Sequence, residues 1–218
     1  MIKACVFDLD GTLLDTIETI TYYLNRTLTR HGIAPVSCEE CKRFVGSGAR
    51  VLIERALAFR GIVDQAVTDE LLSEYRPDYD TDPYYLTRPY PGIVELLDNL
   101  KARGISLAVI SNKPDTATGM AVRHFFGDRF LIVRGALADI PLKPAGEAIG
   151  DLPEKLSARV EEICYIGDSD VDVKFAKAFG AEKCIAVLWG FREKSELVMA
   201  GADTFAEKAS EIEDILFS

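Results

Sequence analysis

Short apolar runs alternate with amphipathic segments between about residue 90 and residue 188 of the chain. The runs have the length and continuity of parallel strands buried on both faces, and they lie at 105–110, 130–133, 162–167 and 183–188. The segments between them carry apolar residues at helical spacing, at 92–103, 114–126 and in a stretch that ends near residue 179. This alternation predicts an α/β fold, with a parallel sheet and helices on both of its faces.

Residues 15–86 interrupt this pattern, because they contain no clear strand and several helix-like segments. Those segments lie at 16–30, 37–45, 49–60 and 67–75. The simplest interpretation is a helical insertion after the first strand, with the turn-rich stretch 79–85 as its return linker. The predicted domains are therefore a core of residues 1–14 and 87–218 and a helical unit of residues 15–86.

An apolar run at the start of the chain ends abruptly in Asp8, Asp10, Gly11 and Thr12. Residues two apart in a strand face the same side, roughly 6–7 Å from each other, so both carboxylates project together. Gly11 allows a sharp turn and a close approach of its amide to a ligand. Such a pair suits a reaction in which one acid attacks and the other transfers protons. The alternative is a strand that ends in solvated acids.

Four polar clusters follow the predicted strands or their loops. They are Asp8 with Asp10, Ser111 with Asn112, Lys143, and Asp168 with Asp172. Ligands bind outside the carboxyl ends of the strands in an open parallel sheet, so we expect all four clusters at one edge.

The acids of this edge indicate a bound cation. The stretch 168–172 is not an EF-hand loop, because Val173 and Phe179 stand where glycine and glutamate are required. Helix capping explains Asp170, but it does not explain why several acids of this stretch lie opposite Asp8 and Asp10 at another strand end. Oxygen ligands favour Mg²⁺ over zinc. Mg²⁺ and Lys143 would together offset the negative charge of the carboxylates and of a bound phosphate. The remaining phosphate oxygens would be held by Ser111, Asn112 and backbone N–H groups.

Composition excludes several classes of function. The net charge is −10 with no basic stripe, which argues against a nucleic-acid partner. No apolar run is long enough for a membrane span, and Asp8 interrupts the N-terminus too early for a signal peptide, so we expect a cytoplasmic protein. The five cysteines are expected to be reduced, and Ser37 with Glu40 indicates a capping box around the single CxxC of Cys38 and Cys41.

Taken together, the motifs resemble those of the haloacid dehalogenase-like hydrolases over essentially the whole chain. The matching blocks are 8–12, 111–113, 143–144 and 167–172. The resemblance implies a doubly wound, Rossmann-like core with a helical cap inserted after the first strand. Within the family, residues 44–57, 188–192 and 200–203 are most similar to the phosphoglycolate phosphatase subgroup. One departure is Ala145 after Pro144, where relatives usually have a second proline within the next residues.

The resemblance also implies a role for each site residue. Asp8 would be the nucleophile that forms an aspartyl-phosphate, and Asp10 the general acid and base. Aspartate at position 10 favours phosphate over haloacid substrates. Mg²⁺ would be bound by Asp8, the Asp10 backbone carbonyl and Asp168, and Asp172 would support the metal's waters. The phosphoryl group would be bound by Ser111 and the catalytic Lys143, assisted by Gly11, Thr12 and Asn112. A substrate carboxylate would be bound by Arg50 or Arg55.

The leading hypothesis is a Mg²⁺-dependent phosphatase, a monomer or homodimer, that acts on a small phosphorylated metabolite such as 2-phosphoglycolate. A sugar-phosphate mutase and a pyrophosphatase of the same family are alternatives within the enzyme class. A phosphate-dependent binding module is the non-enzyme alternative, although it would be expected to lack Asp8 or Asp10.

Overall fold

Strand β1 lies at the centre of a six-stranded parallel sheet in the computed structural model, which describes residues 1–218. In chain order the strands are β1 (Ala4–Phe7), β2 (Leu14–Asp15), β3 (Arg88–Pro89), β4 (Ser106–Pro114), β5 (Ile132–Ala136), β6 (Ile163–Gly167), β7 (Lys183–Val187) and β8 (Phe205–Ala206). The sheet has the order β5-β4-β1-β6-β7-β8, while β2 and β3 form a separate antiparallel pair. The outward jumps from β1 to both sides are those of a doubly wound fold.

Ten α-helices accompany the strands. They are α1 (Ile17–Arg30), α2 (Cys38–Lys42), α3 (Ala49–Phe59), α4 (Gln65–Thr81), α5 (Ile93–Ala102), α6 (Asp115–Phe126), α7 (Leu152–Lys155), α8 (Asp170–Phe179), α9 (Lys194–Ala200) and α10 (Ala209–Phe217). Two short 3₁₀ helices, Gly146–Ile149 and Val160–Glu162, precede α7 and β6. No helix is both long enough and apolar enough to cross a membrane.

The sheet is covered on both faces, which is why β1 has no polar side chain. Cys5 and Phe7 pack into a cluster with residues of α5, α6 and α10 on one face. Ala4 and Val6 point the other way, into a cluster with residues of α7 and α8. Successive strand residues alternate between faces, so a strand buried on both must be apolar throughout. The predicted α/β fold with helices on both faces is confirmed.

Helices α1 to α4 lie between β2 and β3 and pack around their own apolar cluster; we call residues 17–81 the helical segment. Its centre includes Leu24, Ile53, Leu57 and Leu71, each with at most 1% of its surface exposed. The predicted capping box is present, with the Ser37 hydroxyl accepting from the N–H of Glu40.

The structure departs from the predicted elements in several places. Strand β5 lies at Ile132–Ala136 instead of 130–133, and α7, α9, β8 and α10 were not predicted. Two further departures lie close to the predicted polar clusters. Helix α4 runs on to Thr81 through Pro77, so the first part of the predicted linker is helical. Proline costs a helix one backbone hydrogen bond, but Tyr75 and Tyr79 are buried on either side of it and hold the turn in place. Strand β4 continues past residue 110 to Pro114, which pairs with Ala136 of β5 after a register shift.

All five cysteines are free thiols. Cys5 and Cys164 are buried on neighbouring strands, where they pack as small apolar side chains.

Alanine substitutions of a buried and an exposed leucine should differ greatly in their effect on stability. Leu97→Ala empties a fully buried position and should lower the free energy of unfolding by about 2–5 kcal/mol in chemical denaturation. Leu131→Ala is the matched control, because 64% of Leu131 is exposed and its loss should change stability by about 0.5 kcal/mol or less. Equal losses for the two variants would contradict the assigned core.

Candidate active site

The carboxyl end of β1 leads into a tight turn that presents two acids to the same space. Asp8 continues the strand, since its N–H donates to a carbonyl of β6 at 2.9 Å. The carbonyl of Leu9 then accepts from the N–H groups of residues 12–14. Gly11, inside this turn, has a φ of +86°, which a residue with a side chain rarely adopts. As a result Asp8 and Asp10 both line one cavity.

Three buried carboxylates meet beneath this cavity. Asp8, Asp168 and Asp172 each bring one oxygen within 4.8 Å of the others, although they come from two different strand ends. Burial raises the pKa of Asp8 to about 7 and the pKa of Asp168 to about 8, and repulsion from Asp172 adds to both shifts. Such a cluster favours the binding of a positive charge.

Lys143 supplies part of that charge. Its ammonium lies 2.9 Å from Asp8 Oδ1 and donates to Asp172 Oδ1 at 2.7 Å and to the Tyr165 hydroxyl at 2.9 Å. Only 2% of its side chain is exposed. Burial opposes the charge of Lys143, but the two carboxylates outweigh it and raise the pKa. Lys143 therefore remains charged and links the acids of the two strands.

Glycines make room for these acids. A Cβ at Gly190 would overlap the Cβ of Asp168, and one at Gly11 would overlap an oxygen of the same carboxylate. Gly167 has the same relation to Asp172, whose own Cβ occupies the space that a side chain would need. Real Cβ atoms do not approach so closely, so each position excludes a side chain. Gly11 therefore makes room for Asp168, and the approach of its amide to a ligand stays a prediction.

Two further groups orient Asp168. The Thr12 hydroxyl donates to its Oδ1 at 3.0 Å, and the N–H of Phe191 donates to its Oδ2 at 2.8 Å. Trp189 in turn donates to the Thr12 carbonyl at 3.0 Å. Thr12 is thus placed beside Asp168, and its hydroxyl serves that carboxylate.

Asn112 connects the end of β4 to two loops by hydrogen bonds. Its amide donates to the carbonyls of Lys143 at 2.9 Å and Gly46 at 3.0 Å, and its oxygen accepts from the Lys143 N–H at 2.9 Å. Gly46 belongs to the helical segment, so this contact joins the segment to the core. The neighbouring Ser111 is buried on the cavity wall.

The cavity lies between the sheet edge and the helical segment. Its volume is about 70 Å³. Five of the predicted site residues line it: Asp8, Asp10, Ser111, Asn112 and Asp168. Lys143 and Asp172 lie behind this wall, where they contact Asp8 and each other.

The donor set fits a hard divalent cation such as Mg²⁺, which prefers carboxylate oxygens. Asp8 and Asp168 face the cavity and carry the raised pKa values that a cation would relieve. Asp172 is differently placed, because Lys143 and Tyr165 donate to its Oδ1 and Ser169 donates to its Oδ2. Burial opposes its ionisation, yet these donors, led by Lys143, keep the pKa of Asp172 below its usual value.

Arg50 is not brought to the cavity. It lies on the outer surface of α3, where its guanidinium donates to Asp69 at 2.6 Å and lies 3.9 Å from Glu54. Arg55, the other arginine considered for a substrate carboxylate, donates to the Phe44 carbonyl at 3.0 Å. Helical spacing places both on α3 but does not say which face meets the core, and partner acids on α3 and α4 draw Arg50 outward.

Lys113 is a cavity residue to which the sequence analysis gave no role. Its ammonium donates to the two oxygens of Asp10 at 3.0 and 3.3 Å and to the Tyr79 hydroxyl at 2.5 Å. Arg76 and Arg192 line the cavity as well. The sequence could have predicted Lys113 at the site, because it directly follows Asn112 at a strand end. It could not have predicted Tyr79 or Arg76 there, because both lie far from the other site residues along the chain.

Comparison with known proteins identifies the relatives of this fold. A family model described as haloacid dehalogenase-like hydrolase matches residues 5–187. The phosphoglycolate phosphatase of Rhodospirillum rubrum is 32% identical over 216 residues, which cover 96% of this chain and 89% of that protein. The phosphoglycolate phosphatase of Aquifex aeolicus is 30% identical over 87% of this chain and 86% of its own length.

Solved structures agree with these matches. A Lactobacillus delbrueckii protein superimposes with a TM-score of 0.92 at 32% identity, covering 98% of both chains. A haloacid dehalogenase-like family protein of Streptococcus pneumoniae superimposes with a TM-score of 0.84 at 25% identity, covering 99% of this chain and 98% of its own.

The space around Asp168 can be tested with two glycines. Gly190→Ala should displace Asp168 and lower the free energy of unfolding by about 1–3 kcal/mol. Gly119→Ala is the control, since Gly119 lies in α6 with no atom within 4 Å of the added Cβ, and alanine there should stabilise by about 0.5–1 kcal/mol. Chemical denaturation measures both, and a neutral Gly190→Ala would contradict the packing.

The raised pKa values predict how stability depends on pH without a cation. Asp8 and Asp168 ionise in the unfolded chain near 3.8 but in the folded protein only near pKa values of about 7 and 8. The folded protein therefore holds more protons between these values, and its stability should fall as the pH rises from about 5 to about 8. We expect this fall in thermal unfolding with EDTA, and a shallower one in Asp168→Asn. Equal slopes would contradict the assignment.

Proposed function

We propose that this chain, which belongs to the haloacid dehalogenase-like hydrolases and to their phosphoglycolate phosphatase-like subgroup, hydrolyses a small phosphate monoester. We further propose that the reaction needs Mg²⁺, passes through an aspartyl-phosphate and acts on 2-phosphoglycolate or a similar metabolite. The observation that carries the proposal is the placement of Asp8, whose carboxylate reaches a cavity shared with Asp10 while its other surroundings are buried.

Asp8 would be the nucleophile. One of its oxygens attacks phosphorus, the bond from phosphorus to the leaving oxygen breaks, and an acyl phosphate forms on Asp8. Water then attacks that phosphorus, and the bond to Asp8 breaks to release inorganic phosphate. Lys143, at 2.9 Å from Asp8 Oδ1, supports the ionised form that attack requires.

Asp10 would move the protons. It gives one to the leaving oxygen in the first step and takes one from the attacking water in the second. Lys113 holds both of its oxygens, which fixes the direction in which Asp10 presents them. About a fifth of the Asp10 side chain is exposed, 19%, so it faces the cavity more openly than Asp8 does.

The metal would be held by Asp8, the Asp10 backbone carbonyl and Asp168. When bound, Mg²⁺ supplies positive charge that lets a phosphate approach the carboxylates. Asp172 would support the metal's waters instead of binding the metal itself, because its oxygens already accept hydrogen bonds from Lys143, Tyr165 and Ser169.

Ser111 and Lys143 would bind the phosphate oxygens. The Ser111 residue lines the cavity, and the ammonium of Lys143 lies directly behind the wall, next to Asp8. Preorganised donors of this kind stabilise charge that develops in the transition state. Asn112 and Thr12 would act indirectly, since their side chains hold Lys143 and Asp168.

The helical segment would serve as a cap over the site, with residues 15–86 as the inserted domain. Two core residues support this role: Asn112 donates to the carbonyl of Gly46, and Arg192 donates to that of Val45 at 2.7 Å. A covering segment excludes water and strengthens the electrostatic interactions inside.

The size of the cavity supports a small substrate. A volume of about 70 Å³ accommodates on the order of five waters, at 10–15 Å³ for each. That room suits a phosphate with a short organic group, as in 2-phosphoglycolate.

Phosphate release tests this function. We expect release from 2-phosphoglycolate with Mg²⁺, none with EDTA, and a loss of at least about 1,000-fold in kcat for Asp8→Asn. Sugar phosphates and pyrophosphate in the same assay test the mutase and pyrophosphatase alternatives. No release from any compound by folded protein would contradict the proposal.

A further inference from the structure

Two cations of the cavity have no contact with phosphorus or with the metal in the reaction proposed above, where Lys113 serves only to orient Asp10. Lys113 lies near the end of β4, and Arg76 lies on α4 of the helical segment. Neither lies among the groups that hold Asp8, Asp168 or Lys143. Because both cations line a small cavity, we expect the ligand to carry a negatively charged group near them.

Lys113 is held as a fixed cation. Only 4% of its side chain is exposed, and its ammonium lies 4.6 Å from the centre of the Tyr79 ring. Both oxygens of Asp10 and the Tyr79 hydroxyl accept from this ammonium, which also lines the cavity. Burying an ammonium is costly, so a residue kept in this position is expected to meet further negative charge.

The distance to Asp10 indicates which part of a substrate Lys113 meets. Asp10 must touch the oxygen of the breaking ester bond to give it a proton, at roughly 2.6–3.2 Å. Lys113 Nζ lies 3.0 Å from Asp10 Oδ1, so a leaving group that contacts Asp10 also lies near this ammonium. A carboxylate attached to the ester carbon therefore comes within reach of the ammonium.

We infer that Lys113 recognises a carboxylate on the ester carbon of the substrate, with Arg76 at the mouth of the cavity as a second cation and Tyr79 positioning the Lys113 ammonium. The inference rests on the proposed function and deepens it, because it assigns the carboxylate to a particular residue. Asp80 shares this wall and opposes a second anion, and Arg76 offsets its charge.

This assignment differs from a purely structural role for Lys113. A lysine that only orients Asp10 would affect every ester equally, since all leaving groups need the same proton. A lysine that binds a carboxylate would affect only the substrates that carry one. The ratio of kcat/KM for two matched esters therefore separates the roles.

The experiment compares 2-phosphoglycolate with 2-hydroxyethyl phosphate, in which a hydroxymethyl group replaces the carboxylate. For the unaltered protein with Mg²⁺ we expect kcat/KM to favour 2-phosphoglycolate by about 100-fold, as for a charged hydrogen-bonded partner. Lys113→Met should reduce this preference to a few-fold, mainly because the carboxylate ester binds more weakly and its KM rises. Arg76→Gln should reduce the preference by about 3-fold.

Arg26→Gln is the matched control for Arg76→Gln. Arg26 is another exposed arginine of the helical segment, but it pairs with Asp78 at 3.4 Å and lies outside the cavity. Its loss should leave the preference unchanged. Circular dichroism and thermal unfolding establish that each variant is folded.

Binding gives a second readout that needs no turnover. In an Asp8→Asn background, calorimetry with Mg²⁺ should show that Lys113→Met weakens 2-phosphoglycolate by at least about 10-fold and leaves 2-hydroxyethyl phosphate unchanged. Equal weakening of both ligands, or an unchanged preference in Lys113→Met, would overturn the inference. Similar hydrolysis of the two esters by the unaltered protein would also overturn it while leaving the phosphatase intact. Hydrolysis of neither would overturn the proposed function instead.

Discussion

One buried ion network, Lys143 with Asp8 and Asp172, holds the site together. One carboxylate lies at the end of β1 and the other in the first turn of α8, and like charges at this separation repel strongly when they are buried. Lys143 reaches both from a loop, and Tyr165 gives its ammonium a third partner. Without that ammonium the acids would have to take up protons or move apart, as the raised pKa of Asp8 already indicates.

The surroundings of the network follow from its burial. Each acid needs its oxygens satisfied and its neighbours small, so Thr12 and the Phe191 N–H serve Asp168 while Gly190 leaves space beside it. Asn112 holds the Lys143 loop through its carbonyl and its N–H. Several of the polar groups near the cavity thus hold a carboxylate or a loop in place.

The helical segment completes a cavity that the core alone leaves open. It contributes the apolar wall and, through Tyr79 and Arg76, the surroundings of Lys113. The core supplies Asp8 and the other carboxylates. In the function proposed above, the sheet edge would carry the chemistry, and the choice among substrates would depend on where the segment meets it.

The sequence by itself determined the α/β class and the elements that carry the acids, because apolar runs that end in polar residues mark the carboxyl ends of buried strands. It also predicted that Asp8, Asp10, Ser111 and Asp168 would converge. It placed Lys143 with them as well, but only the tertiary structure decided which of the other cations reach the cavity. Arg50 and Lys113 are both basic residues beside candidate segments, yet one pairs with Asp69 on the surface and the other is buried against Asp10. That choice depends on the packing of α3 and α4 against the core, which joins residues far apart in the chain and leaves no periodic signal in it.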